Sequence, residues 1–345
     1  NLNTFIGNSA GAVVTSGADN VVVGADAGAA LTTGPHNVLI GKQAGAKITE
    51  GEKNVILGSQ AGAELVGDGG DFNILIGYAA GNALTTTNSS IFIGHESGDG
   101  HDTETNNIGI GRSALGGSVA GGEYNVAIGN GTLDALTSGD NNMAVGYESG
   151  TAITTAYENT FFGYRAGSTL VDGFQNTIIG NNSNGSATDT IRANGLGADL
   201  SCVSDFTTVG RSTDDIRAAH GTATWAAVSD ERFKKNIETS DAGLAVINDL
   251  RPVTYNWRTK GEVPEWSRAY EEGSDEQYRN SKHNHGFIAQ EVKAVIDSHF
   301  ELKDGFNMWY ERPDGQQEVG ETAVVPILVK AVQELSAQVT TLQQE

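Results

Sequence analysis

The apolar residues of the first half of the chain occur in short groups that return at a regular interval. Residues 3–7, 20–24, 37–41 and 54–58 each hold an Asn, three mostly apolar residues and a closing Gly, and their starts lie 17 residues apart. The series continues from Asn73, Ser90, Asn107, Asn125, Asn142, Asn159 and Asn176, with one step of 19 and one of 18 residues, which makes eleven copies. Self-similarity at a fixed period predicts a repeat fold built from stacked units.

Each repeat carries the signals of one short strand and two corners. Three apolar, often β-branched residues favour a strand, and the Gly after them permits a backbone angle that other residues resist. A strand of three residues cannot bury its own face, so successive coils are expected to stack at about 4.8 Å and share a core. The remaining apolar face then needs a cover, for which we expect symmetric copies of the chain. The Asn that opens each repeat is expected to form a side-chain ladder along the stack.

Two other interpretations of the repeats fit the sequence less well. A disordered Gly, Ser and Asn linker does not explain an apolar triplet that recurs eleven times. A calcium-binding nonapeptide repeat would need many copies of a Gly- and Asp-rich segment, and the nearest such segment, 67–71, occurs once and out of pattern. A stacked β structure remains the prediction.

One position of the repeat varies freely beside fixed neighbours. The residue after the strand-closing Gly is expected to point to solvent, so its larger members would form an exposed column that suits sugar rings or another receptor. These possible receptor-facing residues are Tyr78, His95, Arg112, Tyr147 and Tyr164.

Composition and charge exclude several classes of protein. The chain has 345 residues, one Cys and a net charge of −22, and it begins at Asn1 without Met, which indicates a fragment. One Cys excludes a disulfide scaffold and a Cys-based zinc site, and the acidic balance argues against nucleic acid or an anionic membrane surface as a partner. No apolar run is long enough for membrane insertion. His283 and His285 are too few for a metal site, so neither a metal nor a cofactor is expected.

The last third of the chain has an ordinary mixed composition and three distinctive segments. They are 229–237 (S-D-E-R-F-K-K-N-I), 285–292 (H-G-F-I-A-Q-E-V) and 325–335 (V-P-I-L-V-K-A-V-Q-E-L). Together they resemble the intramolecular chaperone domain of phage tailspikes and tail fibres, the endosialidase-type or S74 peptidase domain, over 229–345. The repeats in turn resemble the β-roll heads of trimeric surface adhesins and the shafts of phage fibres.

The resemblance to the chaperone domain implies a specific chemistry. In that family the domain trimerises and folds a repetitive β part and then releases itself with a Ser–Lys dyad. Mapped onto this chain, Ser229 is the nucleophile, Lys234 the base, and Val228–Ser229 the bond that is cut, although Lys235 stands next to Lys234. A Ser hydroxyl becomes a nucleophile when a base takes its proton, and a Lys can do so when burial lowers its pKa. Three further residues are possible supports: Asp230 and Arg232 as a structural pair, and His285 as a group that orients the dyad or binds the cut end.

The end of the chain carries an independent signal for assembly. Apolar residues spaced 3, 4, 3, 4 and 3 apart predict a coiled-coil helix over 325–345. They are Val325, Leu328, Val332, Leu335, Val339 and Leu342. The pattern permits two or three strands, and an amphipathic helix packed on its own domain remains open at this point; the number three comes from the resemblance. Shorter patterns predict a helix over 287–297 and a strand over 250–255.

The sequence therefore predicts a mainly β, trimeric stacked β-roll or β-helix in 1–182, a β connector or fibre tip in 183–228, and a small α+β chaperone domain in 229–345. The expected function is host-surface attachment by a virion tail fibre or spike, a homotrimer that binds a host glycan or protein receptor. Its chaperone domain is expected to be released after folding in the host cytoplasm. The alternative is a trimeric surface adhesin that retains the domain. An enzyme acting on polysaccharide through the repeats ranks last, because the acidic residues of the repeats are scattered.

Overall fold

The computed structural model describes residues 2–66, 70–117, 121–222, 224–226, 229–302 and 306–344. The chain divides into two compact units, Asn1–Ser229 and Asp230–Glu345. Val228, the residue before the predicted cut, lies outside the described residues.

The first unit is a β-solenoid in which each repeat forms one coil. Every apolar triplet is a strand of three residues, and each strand pairs in parallel with the strand of the next coil. The register is one repeat long, as in Val38↔Val55. The strands are β1 Thr4–Ile6, β2 Val21–Val23, β3 Val38–Ile40, β4 Val55–Leu57, β5 Ile74–Ile76, β6 Ile91–Ile93, β7 Ile108–Ile110, β8 Val126–Ile128, β9 Met143–Val145, β10 Thr160–Phe162 and β11 Thr177–Ile179. The predicted fold class is confirmed.

The side chains of each strand divide between the core and the outside. From β2 to β11 the central residue is buried, while its two neighbours are half-buried or exposed. Central residues such as Leu39 and Phe92 join a second set that includes Leu31 and Ile48 in one continuous core. The outward residues are mostly Val and Ile, so the sheet carries an apolar stripe along its outer surface.

The opening Asn residues form the expected ladder. The Asn37 backbone N–H donates to Asn20 Oδ1 at 2.8 Å, and its Nδ2 donates to the same oxygen at 3.2 Å and to the Gly51 carbonyl at 2.8 Å. The same pattern recurs in other coils, and Ser90 continues it by accepting from the Asn107 N–H at 3.3 Å. Because these groups are fully buried, each ladder bond removes the cost of an unsatisfied polar group inside the coil.

The strand-closing Gly residues are required by both conformation and space. Gly41 has φ +135°, and a Cβ atom placed on it would lie 2.4 Å from the carbonyl oxygen of Gly58 in the next coil. A side chain at this position would push the coils apart. This explains why Gly ends every triplet.

The stack continues beyond the eleven sequence repeats. Strand β13 (Asn194–Ala198) pairs with β11 at the same 17-residue step, Thr177↔Asn194, and β15 (Phe206–Arg211) pairs with β13. An antiparallel strand, β16 (Asp214–Ala219), ends the 14-stranded sheet, and two short strands, β12 (Asn184–Gly185) and β14 (Ser201–Cys202), form a second sheet beside it. The solenoid thus has about 12 turns. The additional coil was missed because its strand reads Asn-Gly-Leu-Gly-Ala and lacks an apolar triplet.

One coil contains a histidine where the preceding coil has leucine. His101 is fully buried against Phe92, with ring centroids 5.2 Å apart, in the place that Leu84 takes one coil earlier. Neither ring nitrogen has a partner with hydrogen-bond geometry among the described residues. Burial lowers the pKa of His101 from 6.5 to about 4, and the Leu115 backbone and Asp102 offset this only partly.

His101 should make the solenoid less stable in acid. The unfolded chain binds a proton at this residue below pH 6.5, whereas the folded chain does so only near pH 4, so stability falls as pH drops between those values. The full effect is about 3 kcal/mol. Urea unfolding at pH 7 and pH 4.5 measures it, and His101→Leu is expected to lose less stability over that interval. An equal loss in both proteins would show that His101 does not titrate in this way.

The second unit is small and mixed. Helix α1 (Leu244–Asp249) precedes β17 (Val253–Tyr255), which pairs antiparallel with β18 (Asn284–Gly286). Then follow helix α2 (Ala289–Ser298), the hairpin of β19 (Trp309–Glu311) and β20 (Gln317–Val319), and helix α3 (Val325–Gln344). Short 3₁₀ turns lie at Glu231–Phe233, Phe300–Leu302 and Glu321–Val324. The predicted helix over 287–297 corresponds to α2, and the predicted strand over 250–255 is shorter, at β17.

Helix α3 packs on its own unit through one face only. Ile327 and Ala331 are 5% and 4% exposed, Ile327 shares a core cluster with Val246 of α1, and Glu334 Oε2 accepts a hydrogen bond from the Leu244 N–H at 2.8 Å. The six predicted seam residues are all exposed, for example Val332 at 64% and Leu335 at 50%. Packing on its own unit therefore does not account for the heptad pattern.

Candidate functional site

The predicted dyad residues lie at the two ends of one short turn. Asp230 caps the 3₁₀ turn Glu231–Phe233: its Oδ1 accepts the Arg232 backbone N–H at 2.9 Å. Lys234 ends the turn, and its N–H donates to the Glu231 carbonyl at 2.9 Å. Ser229 directly precedes the cap, so Ser229 and Lys234 flank a single hydrogen-bonded turn.

Asp230 and Arg232 form the pair that was predicted between them. Arg232 Nε lies 3.1 Å from both carboxylate oxygens of Asp230, and Nη2 lies 2.5 Å from Oδ2. This bond lowers the pKa of Asp230 and raises that of Arg232. The guanidinium folds back over the turn and bridges its ends. Because the pair is exposed, solvent screening keeps its contribution to the stability of the turn small.

The segment around the dyad is exposed in a single chain. Residues 231–241 are all exposed, as is Ser229, and they include the large apolar side chains of Phe233 and Ile237. Exposed apolar residues beside an expected catalytic pair are typical of a surface that another protein covers.

His285 lies on the edge of a two-stranded sheet. It occupies the centre of β18, opposite Thr254 of β17, and is exposed. Its ring meets that of His283 edge to face at 6.1 Å, and His283 Nδ1 lies 3.3 Å from Asn256 Oδ1. Its role beside Ser229 stays a prediction.

A histidine that the sequence analysis did not single out links two elements of the same unit. His299 Nε2 lies 2.9 Å from Asp249 Oδ2 at the end of α1, and Nδ1 lies 2.9 Å from Glu301 Oε1. These two carboxylates raise the pKa of His299, with the Asp249 bond contributing most. The three groups tie the end of α1 to the end of α2. Asp249 and His299 are 50 residues apart, and no sequence motif joins them.

The residues predicted to form a column on the solenoid do lie in one exposed row. Tyr78, His95, Arg112, Tyr147 and Tyr164 are exposed on coils that carry β5, β6, β7, β9 and β10. The Tyr78 and His95 rings stack at 5.2 Å, and those of Tyr147 and Tyr164 stack at 5.6 Å and 9°. Their role toward a receptor remains a prediction.

Within the described ranges, no group of three or more His, Cys, Asp or Glu side chains is placed to hold a metal ion. Across the same ranges, none of the helices has both the length and the apolar character needed to cross a bilayer.

Comparison with known proteins gives one match. Residues 229–301 match the model of the family Peptidase_S74, described as chaperone of endosialidase. No curated protein and no solved structure matches the chain. The matched segment begins at Ser229, next to the boundary between the two compact units. This match and the solenoid of stacked repeats fit a phage tail fibre with an endosialidase-type chaperone domain. The family is known for self-cleavage, and its domain supports a folding and trimerising role in phage tail proteins.

Proposed function

We propose that this chain is part of a trimeric phage tail fibre for host attachment, and that residues 229–345 trimerise and fold the solenoid and then cut themselves off between Val228 and Ser229. The observation that carries the proposal is the coincidence of two boundaries at this point. The family match begins at Ser229, and the chain divides into its two compact units at the same residue, shortly after the last strand of the solenoid sheet.

The proposed cleavage is an acyl transfer within one chain followed by hydrolysis. Lys234 accepts the Ser229 hydroxyl proton, and the oxygen attacks the carbonyl carbon of Val228. The Val228–Ser229 amide bond breaks, its nitrogen takes the proton from Lys234 and leaves as the α-amine of Ser229, and an ester joins Val228 to the Ser229 oxygen. Water hydrolyses the ester, which leaves a Val228 carboxylate and a free Ser229. The fold supplies the proximity of the reacting groups, since the substrate is the chain itself.

Assembly supplies what a single chain lacks. Three sets of apolar side chains are exposed in a single chain: the outer stripe of the solenoid sheet, Phe233 with Ile237 in the segment 231–241, and the α3 seam. Copies of the same chain around a threefold axis would cover all three. Burial of the segment 231–241 by neighbouring chains would then exclude water from the surroundings of Lys234 and start the cleavage, so that the cut follows assembly.

Removal of the second unit tests the chaperone role. We expect residues 1–228 expressed alone to be insoluble or monomeric, because the solenoid has no element that brings three chains into register. The complete chain should give a soluble trimer of the released solenoid. Light scattering and chemical cross-linking compare the two, and soluble trimers from 1–228 alone would refute the chaperone role while leaving the cleavage chemistry open.

A further inference from the structure

The exposed column of the solenoid is organised into two aromatic pairs rather than a uniform row. Tyr78 and His95 stack on neighbouring coils, and Tyr147 and Tyr164 stack in the same way further along. The positions beyond each pair hold Ser59, Arg112, Asn130 and Asn181, so each stack ends after two rings. The outer faces of the end rings are therefore not covered by another ring of the column.

Each aromatic pair has a carboxylate next to it. Glu96 Oε2 lies 3.3 Å from His95 Nδ1. At the second pair, Glu148 Oε2 accepts from Arg165 Nε at 2.7 Å, and the Tyr147 hydroxyl bonds to the same carboxylate, which raises the pKa of Tyr147 and lowers that of Glu148. Both carboxylates occupy the second position after the strand-closing Gly, so each directly follows an aromatic residue of its own coil.

We propose that this column binds an uncharged, linear polysaccharide that lies along the shaft; the proposal rests on the proposed function of host attachment. The polarised C–H face of a sugar ring packs on the negative face of an aromatic ring. Its hydroxyl groups donate to Glu96 and Glu148 and accept from Arg165, in charge-assisted hydrogen bonds. The aromatic rings thus lie beside both hydrogen-bond acceptors and a donor, and the hydroxyl groups of a sugar ring can bond to both.

Charge selects the class of sugar. The column itself is balanced in charge, since Arg112 and Arg165 match Glu96 and Glu148, so the field along the shaft is that of the whole chain, whose net charge is −22. A polymer of sialic or uronic acids would meet this field at every unit and be repelled. A neutral polysaccharide meets no such barrier.

The spacing of the two pairs favours a chain over a single sugar. His95 and Tyr147 are separated by three coil steps, which is about 14 Å at the strand spacing of a β-sheet. A linear polymer along the axis contacts both pairs. Once it has bound one pair, binding to the second is intramolecular, which raises the overall affinity. In a trimer the column occurs three times, which adds further avidity.

Stacking that only stabilises the solenoid is the alternative, and the chain offers a matched control. Tyr157 and Phe174 also stack across neighbouring coils, with centroids 4.9 Å apart and 3° between planes, at a different position of the repeat. Loss of this pair removes a similar amount of ring contact from the solenoid but leaves the column intact.

The test measures binding of the purified trimer to a printed array of bacterial O-chain and capsular polysaccharides, half of them uncharged and half rich in uronic or sialic acids. We expect binding to uncharged polysaccharides. The double variant Tyr147→Ala with Tyr164→Ala should bind about tenfold more weakly or worse, and Tyr157→Ala with Phe174→Ala should bind like the unaltered protein. Glu148→Gln should weaken binding less than loss of the rings.

Several results would overturn the proposal: no binding to any uncharged polysaccharide, a preference for the acidic ones, equal binding by the column variant, or an equal loss in the control variant. Cross-linking and fragment masses, recorded on the same samples, report trimer formation and cleavage. If these are normal while binding is absent, the column proposal fails and the chaperone function stands. If no trimer forms at all, the proposed function itself fails.

Discussion

Replacing Ser229 with alanine is expected to leave the chain uncut while the solenoid still folds and assembles. Only the hydroxyl oxygen is lost, and without it no acyl transfer from Val228 can begin. Ser229 is exposed and lies before the Asp230 cap, so the substitution leaves the turn Glu231–Phe233 in place. Intact-mass spectrometry of freshly made protein should show one species of 345 residues in place of two fragments.

The two adjacent lysines supply the control for the base. Lys234→Ala should also abolish cleavage, whereas Lys235→Ala should leave it intact, although both remove one positive charge from the same exposed segment. Two fragments from the Ser229→Ala chain would exclude the dyad. Cleavage that depends on Lys235 in place of Lys234 would move the base by one residue and change the mapping from the family.

The sequence predicted the solenoid well because its constraints repeat. A Gly such as Gly41 is required for the same reason in every coil, and a buried Asn such as Asn37 bonds to the Asn of the coil before it. Where the pattern of one repeat is ambiguous, the other copies still predict its strand and its turn. The coil at Asn194–Ala198 was not predicted, because its strand lacks an apolar triplet. A strand inside a stack is stabilised by pairing with the strands on both sides, so it can form without one.

The second unit was predicted less completely, since its contacts join distant parts of the chain. No periodicity links Asp249 to His299, and no sequence pattern predicts that Glu334 accepts a hydrogen bond from the Leu244 N–H. The exposure of the segment that contains Ser229 and Lys234 was also not predicted, because burial belongs to the tertiary and quaternary structure. The motif gives the residue types, and the fold decides their surroundings.

Placing two aspartates in the α3 seam, Val332→Asp with Leu335→Asp, is expected to prevent trimer formation. In a three-stranded coil these positions would bring six carboxylates into a dry core, and each unpaired buried charge costs several kcal/mol. The single chain should tolerate the change, because both side chains are exposed there, while α3 packs on its own unit through other residues such as Ile327. Gln333→Asp with Ser336→Asp is the matched control, since it adds the same charge to the same turns away from the seam.

The seam variant also decides the order of assembly and cleavage. If neighbouring chains must bury the segment around Lys234 before it can act as a base, the variant should remain both monomeric and uncut, while the control trimerises and is cleaved. Sedimentation gives the oligomeric state and a denaturing gel gives the cleavage in one preparation. A monomeric variant that is cut would show that one chain completes the catalytic site alone. A trimer that survives two aspartates per chain would show that α3 is not the element that joins the chains, and the outer stripe of the solenoid sheet would then have to hold them together.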